Sequence, residues 1–239
     1  MKKIFALTLA ALMVAGMACS TVTDLVSDEG DTGSGGDGGA QVGQTEEPAP
    51  DESGESGSIL FSDDFSDPSS GWEQGDYGTG SVGYESGVYS VVSNGNGETM
   101  WGIANRNFGD VIIEVQVTQV SAPDNDNNDY GVMCRVQDNN EGYFLLISGD
   151  GFYSILLRAE GNFTPLVDWT SSEAWNLGNA TNQIQATCNG DTFTLTVNGT
   201  ELASATDSTF SSGDIALTAT SYESASTEVH FDDLEVRAP

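Results

Sequence analysis

Beyond residue 57 the chain reads as short runs of alternating apolar and polar residues separated by Gly, Asn and Asp. The clearest run is Val111 to Gln119, where Val111, Ile113, Val115 and Val117 share one face and Ile112, Glu114, Gln116 and Thr118 the other, the period of a half-buried strand. Phe193, Leu195 and Val197 alternate with threonines in the same way, and Ile215, Leu217 and Ala219 repeat the pattern. The punctuation agrees. Asn189-Gly190 and Asn198-Gly199 are pairs that tolerate positive φ at both centres of a tight hairpin, and Asp150-Gly151 joins Phe144–Ile147 to Phe152–Leu157. About a dozen short strands without helical periodicity predict an all-β domain, a two-sheet antiparallel β-sandwich, over residues 58–239.

The first 57 residues differ. Met1-Lys2-Lys3 followed by the apolar stretch Ile4 to Ala15 and Gly16-Met17-Ala18 has the charged, apolar and small-residue regions of a secretory signal, predicted over residues 1–18. The apolar stretch is shorter than the ~20 residues a membrane span needs. Gly16-Met17-Ala18-Cys19 resembles a bacterial lipobox, which implies diacylation of Cys19 and a chain exported and lipid-anchored to a bacterial membrane, at the cell surface or the periplasmic face. Gly16 stands where that motif usually has Leu, and Gly16-x-Ala18 also suits cleavage without lipidation. Two acyl chains anchor stably where one does not. Residues 19–57 carry the candidate lipidated Cys19 and then an acidic Gly/Ser-rich stretch with no Lys or Arg, which reads as a disordered linker averaging roughly 35 Å end to end.

Cysteine parity bears on both regions. Removing Cys19 from the three cysteines leaves Cys134 and Cys188, an even pair in an oxidising compartment. By alternation Cys134 shares a face with Val132 and Val136, and Cys188 with Ile184 and Ala186, so both point inward. A Cys134–Cys188 disulfide is expected, two buried free thiols being the alternative. Six basic against 37 acidic residues give a formal charge of -31, a field that repels nucleic acid and excludes it as a partner.

Leu60-Phe61-Ser62-Asp63-Asp64-Phe65 with Ser70-Gly71-Trp72, then Tyr130-Gly131-Val132-Met133-Cys134-Arg135, then Val197-Asn198-Gly199 and Val229-His230-Phe231-Asp232-Asp233-Leu234-Glu235-Val236 together resemble concanavalin A-like lectin and glucanase jelly rolls. They are similar in particular to the laminin-G-like and keto-disaccharide hydrolase-type sandwiches of bacterial envelope proteins. The resemblance implies pairing of the first and last strands, bringing Asp63-Asp64 beside Asp232-Asp233. It also implies a structural calcium ion there, with charges that protect a sheet edge as the alternative reading. The alternation slips between Phe231 and Leu234, as at a β-bulge.

Catalytic signatures are missing from the sequence. The paired-carboxylate strand motif of the concanavalin-like glucanases does not occur, Glu114 being the lone acid on its strand's polar face. The single histidine, His230, sits between Val229 and Phe231 and is expected on an outward face. Asp124 to Asp129 begins like an EF-hand loop but has Asp129 where Gly is required. Aromatics suited to stacking on sugar rings are Trp72, Tyr77 and Tyr84 in Gly-rich sequence and Trp169 and Trp175 around a polar stretch; plugging the sandwich rim is their alternative role. Trp101, between Met100 and Ile103, is expected in the core. The reading is a non-catalytic envelope lipoprotein binding glycan or an envelope protein, against a glycoside or keto-disaccharide hydrolase and a structural or adhesive surface subunit.

Overall fold

A computed structural model describes residues 57–239. The signal region, Cys19 and nearly all of the linker lie outside the described residues. Fifteen strands follow in chain order: β1 (Ile59–Asp63), β2 (Gly75–Asp76), β3 (Gly80–Glu85), β4 (Val88–Ser93), β5 (Glu98–Ile103), β6 (Val111–Ser121), β7 (Asn128–Val136), β8 (Gly142–Ile147), β9 (Phe152–Ala159), β10 (Asn162–Ser171), β11 (Thr181–Asn189), β12 (Thr192–Val197), β13 (Thr200–Thr206), β14 (Asp214–Ser221) and β15 (Thr227–Arg237). There is no helix among the described residues. Nine strands form one antiparallel sheet in the order β13-β12-β11-β6-β15-β4-β3-β2 with β1 also on β15, and six form the other in the order β10-β9-β8-β7-β14-β5.

The two sheets press their apolar faces together. Val111, Ile113, Val115 and Val117 of β6, Phe193, Leu195 and Val197 of β12, and Ile215, Leu217 and Ala219 of β14 are all buried in this core, as the alternation requires. Cys134 on β7 and Cys188 on β11 meet across it in a disulfide, with Cα atoms 6.8 Å apart, so the bond joins one sheet to the other.

Two local expectations needed correcting. Val136 does not share the face of Val132 and Cys134. Arg135 has φ +54° and the register between β14 and β7 shifts there, so a bulge turns Val136 to the far side of the sheet. The turn at Asn189-Gly190 is also displaced by one residue: Asn189 still pairs with Thr192, and of the two only Gly190 has positive φ. Asp110 fixes that position by accepting the Gly190 N–H at 2.9 Å, and Arg135 does so by donating to the Gly190 carbonyl at 2.7 Å. At Asn198-Gly199 both φ angles are positive.

The expected slip in β15 is present. Its register against β6 shifts between Asp232 and Glu235, and Asp233 has φ +47°. The bulge falls where β15 changes neighbour: residues Thr227 to Phe231 pair with β4, and Leu234 to Arg237 pair with β1.

A disulfide closing a loop of 54 residues stabilises by about 4 kcal/mol on the chain-entropy estimate. The Cys134→Ala/Cys188→Ala double variant is expected to melt roughly 8 to 16 °C lower by circular dichroism. An unchanged Tm would show that the bond constrains nothing.

Candidate functional site

Sequence patterning leaves the six-stranded sheet apolar on both faces, and the second face builds the site. Met133 pairs with Phe144, Phe144 with Leu156 and Ala216 with Met133, so these four side chains leave the sheet on the side away from the main core. With Val136 and Leu146 they form a second buried cluster, against which Trp101 and Ile103 of β5 pack while still partly exposed. Arg158 of β9 spreads its guanidinium 5.9 Å from the Trp101 ring and 5.7 Å from the Phe163 ring. The result is an apolar strip with an aromatic at its rim.

Farther along the same face the strip turns polar. Thr218 donates to the Met100 carbonyl at 2.9 Å, and the Tyr222 hydroxyl donates to Asp129 at 2.5 Å. Asp129 is buried, and loss of hydration pushes its pKa up to about 6 against the opposing hydrogen bonds from Tyr222 and Thr220.

Past Ile103 and Val136 the strip opens into a cleft of about 780 Å³, lined also by Asn105, Arg106, Gln137, Asn139, Glu141, Phe210 and Asp214. Its size falls within the ~300–1,000 Å³ of small-ligand sites. Two buried groups hold its walls. Tyr143 donates to Asp207 at 2.6 Å and accepts the Phe210 N–H at 3.1 Å. Arg135 donates to the Phe210 carbonyl at 2.7 Å and to Asp110 at 3.0 Å. Asp214 is occupied by main-chain donors, the N–H of Arg106 at 3.1 Å and of Ile215 at 2.7 Å, while burial raises its pKa. Beside them Asn105 and Asn139 are exposed, and amides can both donate to and accept from hydroxyl groups; the half-buried Gln137 offers only its carbonyl oxygen, its amide nitrogen donating to the Arg135 and Ser212 carbonyls at 2.8 Å.

The aromatics singled out from sequence are dispersed. Trp72, 3 % exposed, and Trp175, 5 % exposed, belong to the main core, where an indole offers no face to a ligand, so their ligand-binding assignment is corrected. Trp72 packs against Phe65 and Tyr89 at centroid distances of 5.5 and 5.2 Å. Tyr84 is half-buried, its hydroxyl accepting from the main-chain N–H of Trp72 at 3.0 Å. Tyr77, 49 % exposed, donates to Glu73 at 2.5 Å, and Trp169, 40 % exposed, stands on the edge strand β10. None of the five lines the cleft. Phe210 is the aromatic in its lining; Trp101, two residues before the lining residue Ile103, stands on the adjoining apolar strip and was placed in the core from sequence. Its signal was the alternation of β5, where core-facing Met100 sends Trp101 and Ile103 to the other side.

The terminal strands pair as expected, with Asp63 opposite Leu234. Asp63, Asp64 and Asp233 line a pocket of about 410 Å³ with Ser62, Leu234 and Glu235, and Asp232 does not line it. Asp63 is buried and accepts from the Phe65 N–H at 2.8 Å and from the Ser70 hydroxyl. Asp233 accepts from the Gln116 amide at 2.8 Å, and Asp64 from Ser66 at 2.6 Å.

No family model and no curated protein matches this chain. Solved structures do. The carbohydrate-binding module CBM66 from Bacillus subtilis superposes with a TM-score of 0.59 at 15% identity, over 71% of this chain and 96% of the module. The fold is a concanavalin A-like jelly roll. A Bacillus subtilis protein of unknown function with a galectin-like fold matches with a TM-score of 0.57 at 12% identity, covering 77% of this chain and 97% of its own. The β-glucanase of Bacillus licheniformis matches with 0.54 at 11%, covering 75% and 97%. Identities this low speak to fold alone, and the fold carries binding modules and hydrolases alike.

Asp129 yields a test of the polar end. An unfolded aspartate ionises near 3.8, whereas folded Asp129 keeps its proton to about 6. Between those values the folded state holds one proton more, so stability falls as pH rises through the window, by about 3 kcal/mol in total. Asp129→Asn, which keeps an acceptor for Tyr222, is expected to lack that component in urea denaturation at stepped pH. Equal slopes for both proteins would contradict the assignment.

Proposed function

We propose that this chain is an exported lipoprotein, anchored through Cys19, whose sandwich binds glycan without cleaving it. The observation that carries the reading is the continuity of the apolar strip and the cleft. Trp101 and Ile103 offer an apolar surface to the C–H face of a sugar ring, and the amides of Asn105, Gln137 and Asn139 lie where hydroxyls would follow. A non-catalytic role is supported by Asp214, whose carboxylate oxygens are engaged by main-chain N–H groups; glycoside hydrolysis would need it paired across the cleft with a second acid such as Glu141. The acidic stretch after Cys19 would hold the domain clear of the lipid surface.

The test uses the mature chain on a glycan array, with affinity electrophoresis on the polysaccharides that score. Trp101→Ala is expected to weaken binding at least tenfold and Asn139→Ala severalfold, with Trp169→Ala unchanged. Release of new reducing ends, abolished by Glu141→Gln, would establish the hydrolase instead. Glycan binding that survives Trp101→Ala would overturn the assigned surface. Acyl labelling tests the anchor separately: Cys19→Ser is expected to remove the lipid mass and leave the protein in the soluble fraction.

A further inference from the structure

The outer face of the nine-stranded sheet gathers a second set of chemistry-bearing residues, remote in sequence and separate from the glycan surface. On β15, Val229 and Phe231 are buried in the main core, so Glu228 and His230 project from the opposite side. The register partner of His230 is Ser90 on β4, and that of Ser90 is Gly83 on β3. Glu85, two residues beyond Gly83, returns to the same side. Strands β3 and β15, on either side of β4, thus bring one carboxylate oxygen of Glu85, one of Glu228 and an imidazole nitrogen of His230 within 4.8 Å of one another. Nε2 of His230 lies 2.8 Å from Oε1 of Glu228.

Beside this group Ser90 is 6 % exposed, and its hydroxyl has no hydrogen-bond partner. As the register partner of His230, its side chain leaves the sheet on the side of the cluster. A buried hydroxyl left unmet is costly. The hydrogen bond between His230 and Glu228 accounts for two of the residues, but not for the convergence of Glu85 or for the Ser90 hydroxyl.

We propose that Glu85, Glu228 and His230 form a binding site for a divalent transition cation, with zinc as the best fit. Two carboxylates and one imidazole are a borderline donor set, which suits zinc where calcium would take oxygens alone. Zinc bonds of about 2.0–2.2 Å to nitrogen and oxygen require only a modest closing of the three ligands. The fourth position takes a water, to which Ser90 donates. A bound ion ties β3 to β15 across β4.

His230 is the only histidine in the chain, so its ring nitrogens report on this site alone. The experiment is titration of the chelator-stripped mature protein with Zn²⁺, followed by calorimetry and by the ¹⁵N resonances of the imidazole. One ion is expected to bind per chain, moving the ring resonances. Tm should rise by roughly 5 to 10 °C at a hundredfold excess over Kd. His230→Ala and Glu85→Gln should each weaken binding at least tenfold, and Asp64→Asn should leave it unchanged. The absence of saturable binding, binding that persists in His230→Ala, or ring resonances that stay put would each overturn the proposal, the last two pointing to scattered surface carboxylates.

Discussion

Strands β7 and β8 are buried along almost their whole length, and that requirement governs the rest of the domain. One side of their sheet is covered by the nine-stranded sheet, with the Cys134–Cys188 bond running between the two layers. The other side has no third layer among the described residues. It is covered instead by its own long side chains, Trp101, Arg158 and Phe163, laid across Met133, Phe144 and Leu156. Burial by flat, amphipathic side chains leaves an apolar surface at the rim, and the proposed ligand surface is that remainder.

The cleft owes its shape to irregularities in otherwise regular strands. The bulge at Arg135 turns Val136 into the cleft wall and buries the guanidinium, which then reaches Asp110, Gly190 and Phe210. A buried arginine whose two terminal nitrogens donate to two main-chain carbonyls and a carboxylate fixes three loops at once. Tyr143 holds the Phe210 loop from below through Asp207. The cleft walls are therefore set by hydrogen bonds from the sheet and not by the loops alone, the condition for a site formed before its ligand arrives.

The sequence made the fold legible wherever a strand has one wet face. The β6, β11 and β12 alternations placed their core residues, and parity placed both bridging cysteines. The slip at Asp232-Asp233 was visible because Leu234 and Val236 resume the pattern out of phase. Strands dry on both sides carry no such signal: Tyr143 to Ile147 reads as one apolar run, and nothing in it marks Phe144 and Leu146 as belonging to a different cluster from Tyr143 and Leu145. Trp101 was placed in the core on other grounds, being read with its apolar neighbours Met100 and Ile103 and not by the alternation of β5, so loop aromatics were preferred as ligands. Trp72 and Trp175 stand in glycine- and polar-rich surroundings, yet they fill the ends of the sandwich. The Glu85, Glu228 and His230 group was out of reach for a different reason, since its members meet only through the β3-β4-β15 strand order.

The four tryptophans divide by environment, and this gives the most direct measurement. The indole N–H groups of Trp72 and Trp175 are buried without partners, Trp169 is on the edge strand, and Trp101 stands on the apolar strip. In a ¹⁵N-labelled protein titrated with a glycan selected by array, the account predicts a saturable shift of the Trp101 indole signal, with the other three unmoved. A shift confined to Trp169, or no shift at saturating glycan, would contradict it.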